Sequence, residues 1–327
     1  MPAVAVVLGG GGLVGHAWHV GVMAGLAEVT GWDPRRAELI VGTSAGAVVA
    51  AELRAGLHPA DLLRPGIGAA PTTLPQPVLN TRSWMPAAPG MAVRAVLARA
   101  PAGLLAAGLA PRGRRDPAII ADAVARLYPD GCNWPDRPLW VCAVRLGDGQ
   151  RVVFDGDGDG DGDGDGDGDG DVATVVSASC AMSGFFSPVR IGGRAYVDGG
   201  ARSVSNADLV VDAGFDLVLV SSPMTLDRAS VARPRWRAPP VKHLQRMAHG
   251  SRLRREVASI RRNGATVATF EPGPDDLPVM GSMAMAMDLG RRAAVTEQAR
   301  ASTLRKMGSA PLEAVRSQLS AAAWPRS

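Results

Sequence analysis

Paired cysteines, long uncharged apolar runs and clusters of basic with aromatic residues are all missing from this 327-residue chain, and each absence removes a class of protein. Cys132, Cys142 and Cys180 are an odd number without metal-type pair spacing, so neither a disulfide framework nor a zinc site is expected. A reduced, cytoplasmic compartment fits that usage. The nearest approach to a membrane span, residues 91–111, contains Arg94, Arg99 and Pro101, so no transmembrane helix is expected. The first residues carry no charged region ahead of an apolar core, and no secretory signal is read there. Aromatics make up 4% of the chain, and nothing resembles a nucleic-acid-binding module.

What is present fits a folded enzyme: 46% hydrophobic residues, with a formal net charge of +4. Nine of the acids lie in one alternating Asp-Gly tract, residues 155–171, and without it the remainder would stand at about +13. A basic surface of that kind favours peripheral contact with anionic lipid. Glycine at every second position and repelling carboxylates make the tract a disordered loop by expectation, whose removal should leave function intact. Calcium binding is the alternative for its hard oxygen donors, although the spacing departs from known calcium loops.

Residues 3–8 form a valine-rich run that reads as a strand buried on both faces, followed by glycines and then a helix over residues 15–29. Its expected apolar face carries Val22, Leu26 and Val29. Residues 38–41, 42–46 and 45–54 repeat the same unit of strand, tight turn and helix. Residues 57–138 are rich in proline, arginine and alanine and read as a helical cap or lid, with helices near 91–100 and 118–127. Further strands are expected at 139–144, 151–154, 172–179, 196–197 and 217–221. The C-terminal part, residues 223–327, reads as mostly helical. Strands alternating with helices argue for one α/β domain over residues 1–327 with a mainly parallel sheet.

Three patterns carry chemistry. Gly42-Thr43-Ser44-Ala45-Gly46 fits the G-x-S-x-G nucleophile elbow between strand and helix, where a tight turn lifts the serine above the sheet. Gly9 to Gly12, after the first strand, offers backbone amides to an oxyanion or a phosphate, and Gly10, Gly12 and Gly15 also satisfy the dinucleotide pattern. That second reading wants an acid at the end of the next strand, where this chain has Ile40-Val41-Gly42. Asp198-Gly199-Gly200 places a carboxylate at a strand end beside residues that permit close backbone approach. Gly42, Gly46, Gly199 and Gly200 are thus supporting positions around Ser44 and Asp198.

In this order the three patterns resemble the patatin-like phospholipase family. The resemblance extends to residues 178–188, which follow that family's small-residue and F-x-P pattern, and covers roughly residues 3–222. It implies a three-layer α/β/α fold and a Ser44–Asp198 dyad with no intervening histidine. It further implies an oxyanion hole from Gly10, Gly11 and Gly12, lipid or phospholipid acyl esters as substrates, and neither metal nor cofactor in catalysis. The chain departs from the family pattern at Val14, where a basic residue is usual, at Ser183 and at Ala207, where proline is common.

Two other readings compete. A classical Ser-His-Asp esterase would add His243 or His249 in chain order after Asp198, while His16 and His19 follow the glycine loop and could face either site or core. A nucleotide-binding protein would use the glycine loop alone. Four methionines, Met280, Met283, Met285 and Met287, are expected in the core or in subsidiary packing, with a pliable acyl-contacting surface as the alternative.

Overall fold

The computed structural model describes residues 1–64, 66–69, 86, 88–98, 100–111, 113–131, 133–156, 170–227 and 243–323. Most of the Asp-Gly tract, residues 157–169, lies outside them, as do Cys132 and part of the expected lid. Eight strands, β1 (Val4–Leu8), β2 (Leu39–Thr43), β3 (Leu139–Arg145), β4 (Arg151–Phe154), β5 (Val189–Ile191), β6 (Arg194–Asp198), β7 (Leu217–Ser221) and β8 (Thr266–Phe270), form one sheet. The path runs β5-β6-β3-β2-β1-β7-β8, with β4 paired to β3 off it. Pairs among β3, β2, β1, β7 and β8 are parallel, and those joining β3 to β4, β3 to β6 and β5 to β6 are antiparallel.

The central strands are apolar at every position because both faces are covered. Val4, Val6, Leu8, Ile40, Leu217 and Leu219 point into one core, shared with helices α1 (Gly12–Thr30), α2 (Ala45–Arg54), α6 (Ala118–Ala125) and α7 (Val172–Ser179). Between α2 and α6 come the short α3 (Pro59–Leu62), α4 (Pro89–Leu97) and α5 (Ala102–Leu109). The alternate residues Ala5, Val7, Leu39, Val41, Val218 and Val220 pack against Leu253, Val257 and Ile260 of α8 (Leu244–Arg262). The arrangement is the expected α/β/α sandwich. The chain closes with α9 (Leu277–Met280), α10 (Arg292–Met307) and α11 (Glu313–Ala322).

Helix α1 is buried on nearly all sides, and its glycines explain how. A Cβ on Gly21 would lie 2.3 Å from the Thr296 carbonyl, and one on Gly25 would press on Thr303, so these positions let α10 lie directly on α1. Gly31, at φ 70°, ends the helix in the left-handed region that favours glycine. Val22 and Leu26 are buried as expected, whereas Val29 is partly exposed at the last turn.

Two elements differ from expectation. Residues 172–179 read as a strand from their β-branched content but form helix α7. Asp171 decides the outcome, because its carboxylate accepts the amides of Ala173 and Thr174 at 3.0 Å as an N-cap, and Val172, Val175, Val176 and Ser179 then share the buried face. Strand β8, inside the part expected to be helical, pairs in parallel with β7 and extends the sheet.

Candidate active site

The meeting of Ser44 with Asp198 is a consequence of strand register. Cys142 of β3 pairs with Thr43 on one edge and Val153 on the other, and the next residue, Ala143, pairs with Asp198 and Val152. Because β4 takes one edge at both positions, β2 and β6 lie end to end along the opposite edge. Thr43 is the last residue of β2 and Asp198 the last of β6, so the two chain segments, 154 residues apart, converge head to head. Ser44 and Asp198 follow directly from this placement.

Ser44 sits between β2 and α2 at φ 53°, ψ −120°, a conformation that costs a side-chain-bearing residue about 1–3 kcal/mol. The surrounding contacts hold it there. The Ser44 amide donates to the Ser179 hydroxyl at 2.8 Å, which donates to the Cys142 carbonyl at 2.6 Å. Gly42 and Gly46 are required sterically: added Cβ atoms would stand 2.5 Å from Ala47 Cα and 2.0 Å from the Leu8 carbonyl oxygen. Behind the elbow, Asn206, itself at φ 50°, donates to the Thr43 hydroxyl at 2.9 Å and to the Ser203 carbonyl at 2.8 Å.

Asp198 keeps a partial opening to solvent, yet protein surrounds it on most sides. Burial raises its pKa to about 6, against the opposing hydrogen bonds from the Ser44 hydroxyl and the Gly200 amide, the latter at 2.7 Å. Gly199 lies against the backbone of Cys142, where a Cβ would stand 2.3 Å from the carbonyl oxygen. Cys180 is at the site too: its buried thiol contacts the Ser44 hydroxyl, and burial together with the nearby Asp198 charge raises its pKa. Sequence reasoning gave Ser179 and Cys180 no role beyond the small-residue pattern of residues 178–188.

The glycine loop differs in one respect from expectation. The Gly10 amide is engaged by the Val204 carbonyl at 2.7 Å, so it has no free donor to offer. Gly10 faces the serine instead, and a Cβ there would stand 3.6 Å from Ser44 Cβ. The amides of Gly11 and Gly12, ahead of the first hydrogen-bonded turn of α1, have no acceptor among the described residues. Gly11 is pressed between Gly15 and Pro223, where a Cβ would meet atoms of both at 2.7 Å. Gly12, at φ 62°, lies under Ala286 and Met287, and Ala286 accepts the Val14 amide at 2.9 Å. The methionine segment thus covers one flank of the loop, with only Met280 in the core. Val14 is buried in the main core and brings no charge.

The histidines fall elsewhere. His19 is fully buried, donating from Nε2 to the Gly9 carbonyl at 2.7 Å and accepting the Ser221 hydroxyl at Nδ1 at 2.8 Å. Burial lowers its pKa to about 3, so it stays neutral while holding the glycine loop. His16 pairs through Nε2 with the buried Glu52 at 3.0 Å. The partners of the Asp198 carboxylate are Ser44 and Gly200, with no histidine among them. Among the described residues, no three His, Cys, Asp or Glu side chains form a cluster able to hold a metal ion.

A mainly parallel sheet covered by helices on both faces, with Ser44 on a strained strand-to-helix turn at the carboxyl ends of its strands and against a carboxylate, defines the class: an α/β/α protein. Within that class the resemblance noted from sequence is borne out, since residues 143–211, which include Asp198 and Asn206, match the family described as patatin-like phospholipase. That family acts on lipids. Among solved structures, one match is the crystal structure of type III effector protein ExoU, at 17% identity and a TM-score of 0.38, over 93% of this chain and 53% of that one. The chain therefore spans about half the length of that protein. No curated protein matches it.

Proposed function

We propose that this chain is a lipid acyl hydrolase working through a Ser44–Asp198 dyad. The observation that carries the proposal is the end-to-end placement of β2 and β6 on β3, which puts a strained serine against a carboxylate with no third group between them. Asp198 accepts the hydroxyl proton as Ser44 Oγ attacks the ester carbonyl. The amides of Gly11 and Gly12 stabilise the oxyanion, and Gly10 contributes by the absence of a side chain beside Ser44. Collapse of the tetrahedral adduct breaks the ester C–O bond, the Asp198 carboxyl returns its proton to the leaving alcohol, and an acyl-serine remains. Water, deprotonated by the same carboxylate, then attacks the acyl carbonyl, the acyl C–Oγ bond breaks to release the fatty acid, and Asp198 returns the proton to Ser44 Oγ.

A base with a pKa of about 6 is ionised at neutral pH while remaining basic enough to take a proton. Phospholipids fall within the substrate class. The partial opening beside Asp198 supports water entry for the second step. The test is fatty-acid release from a graded series of acyl esters and phospholipids by wild type, Ser44→Ala and Asp198→Asn proteins of equal thermal stability at acidic pH. Release by wild type alone supports the dyad. Turnover retained in Ser44→Ala, or no turnover on any ester by the folded wild type, rejects it.

A further inference from the structure

Helix α4 has two unlike faces. Met91, Ala92 and Ala95 are buried, Met91 and Ala95 packing with Leu104 and Ala107 of α5 and with Val144 and Val197 of the sheet. On the other side Val93, Val96 and Leu97, spaced i, i+3, i+4, are 59%, 59% and 79% exposed, and Leu109 of α5 is exposed as well. Large aliphatic side chains held in water on one stripe of a short helix are out of place unless something apolar covers them.

The surface beside this stripe is cationic. A pocket of ≈ 350 Å³ opens behind α4, lined by Arg94, Arg151 and Arg202 together with Asp148, Met91 and Leu104. Asp148 is already paired with Arg145 at 2.7 Å, and Arg151 with Asp208 at 2.8 Å. Arg94 and Arg202 have no salt-bridge partner among the described residues. Burial, with Arg252 and Arg151 nearby, lowers the Arg202 pKa, while Asp208 acts in the opposite sense. The hairpin is also fixed to the site: Gly103 of α5 lies against the Ala201 carbonyl, where a Cβ would stand at 2.4 Å, three residues after Asp198.

We propose that the α4–α5 hairpin and the arginine pocket behind it form a docking surface for an anionic phospholipid bilayer. Val93, Val96 and Leu97 enter the interfacial layer, and Arg94 and Arg202 take up lipid phosphate. Charge complementarity selects this occupant, because an aliphatic stripe flanked by unpaired arginines matches a bilayer interface with its negative headgroups. The proposal deepens the lipid-ester reading and rests on it for its purpose, but its test does not.

Vesicle co-sedimentation of the Ser44→Ala protein separates binding from turnover. Binding to vesicles enriched in phosphatidylglycerol is expected to exceed binding to pure phosphatidylcholine, to weaken with salt, and to fall at least about tenfold in both Leu97→Asp and Arg94→Glu. Both side chains are exposed, so melting temperatures should not change. With Ser44 restored, Leu97→Asp should keep turnover of a soluble short-chain ester within about twofold while losing hydrolysis of vesicle lipid. Equal binding to the two vesicle types, or undiminished binding in both variants, overturns the docking surface. So does a wild-type dimer that Leu97→Asp dissociates, since a second copy would then cover the stripe. A wild type that binds anionic vesicles but hydrolyses no ester leaves docking standing and rejects the dyad.

Discussion

The first two units of the chain are built alike and do different things. Each runs strand, glycine turn, helix, and each places its turn at the carboxyl end of a parallel strand. In the first, the glycines leave the amides of Gly11 and Gly12 without acceptors among the described residues and bring no reactive side chain. In the second, Gly42 and Gly46 give room for a serine in a strained conformation. The turns also nest, since a Cβ on Gly46 would strike Leu8 and Gly9 of the first unit. One local design is thus used twice, bare of side chains from Gly9 to Gly12 in the first copy and carrying a serine between two glycines in the second.

The sharpest way to break the comparison is to remove the Ser44 hydroxyl. Ser44→Ala should lower ester turnover by about a thousandfold or more in a stopped assay of fatty-acid release, leaving the fold intact. The first unit is attacked at Gly11→Ala, whose Cβ would displace the loop against Gly15 and Pro223. It should cost about 100-fold to 1,000-fold in kcat with little change in KM. A change confined to KM would assign the loop to substrate binding instead.

Asp198 connects the pair to pH. Turnover should rise as pH increases through about 6, because the base must be ionised. Its stability effect runs the other way. Since burial raises the folded-state pKa above the unfolded value, the protonated form favours folding below about 4, and that advantage is lost as pH rises through about 6. Asp198→Asn should therefore be more stable than wild type by about 1–3 kcal/mol well above pH 6 and equal to it below about 4, measured by denaturant melts. A variant less stable at high pH would mean that the hydrogen bonds to the carboxylate outweigh its burial.

The smallest effects lie at the Asp-Gly tract. Deleting residues 157–169 should leave turnover within about twofold, whereas Asp171→Ala should cost about 1 kcal/mol of stability through loss of the α7 cap. The tract as a whole was expected to be dispensable, but its last carboxylate starts the helix that ends at Ser179, the residue holding the Ser44 amide.

The elbow, the glycine loop and most central strands were legible because local chemistry specifies them: glycines where backbones touch, and unbroken apolar runs where both faces are covered. Other features depend on distant partners. The run at 172–179 carries strand-type residues, and only the cap and the helical spacing of its buried positions decide for a helix. The five residues of β8 are too few to stand out before β7 is there to pair with them. No local pattern shows that Val204 claims the Gly10 amide or that Cys180 lies beside the serine, since both follow from how loops cross above the sheet.

The placement of β2 and β6 along one edge of β3 also bears on how this protein can change over generations. The distance between serine and aspartate is fixed by adjacent residues of a single strand, Cys142 and Ala143, and so is indifferent to how much chain runs between them. Connections such as that between β4 and α7 can lengthen by simple repetition without moving either group. A one-residue slip of β6 would instead turn Asp198 to the opposite face of the sheet. Added loop length leaves the pairing of β2 and β6 with β3 unchanged and a register slip does not, so variation in length is expected in the loops.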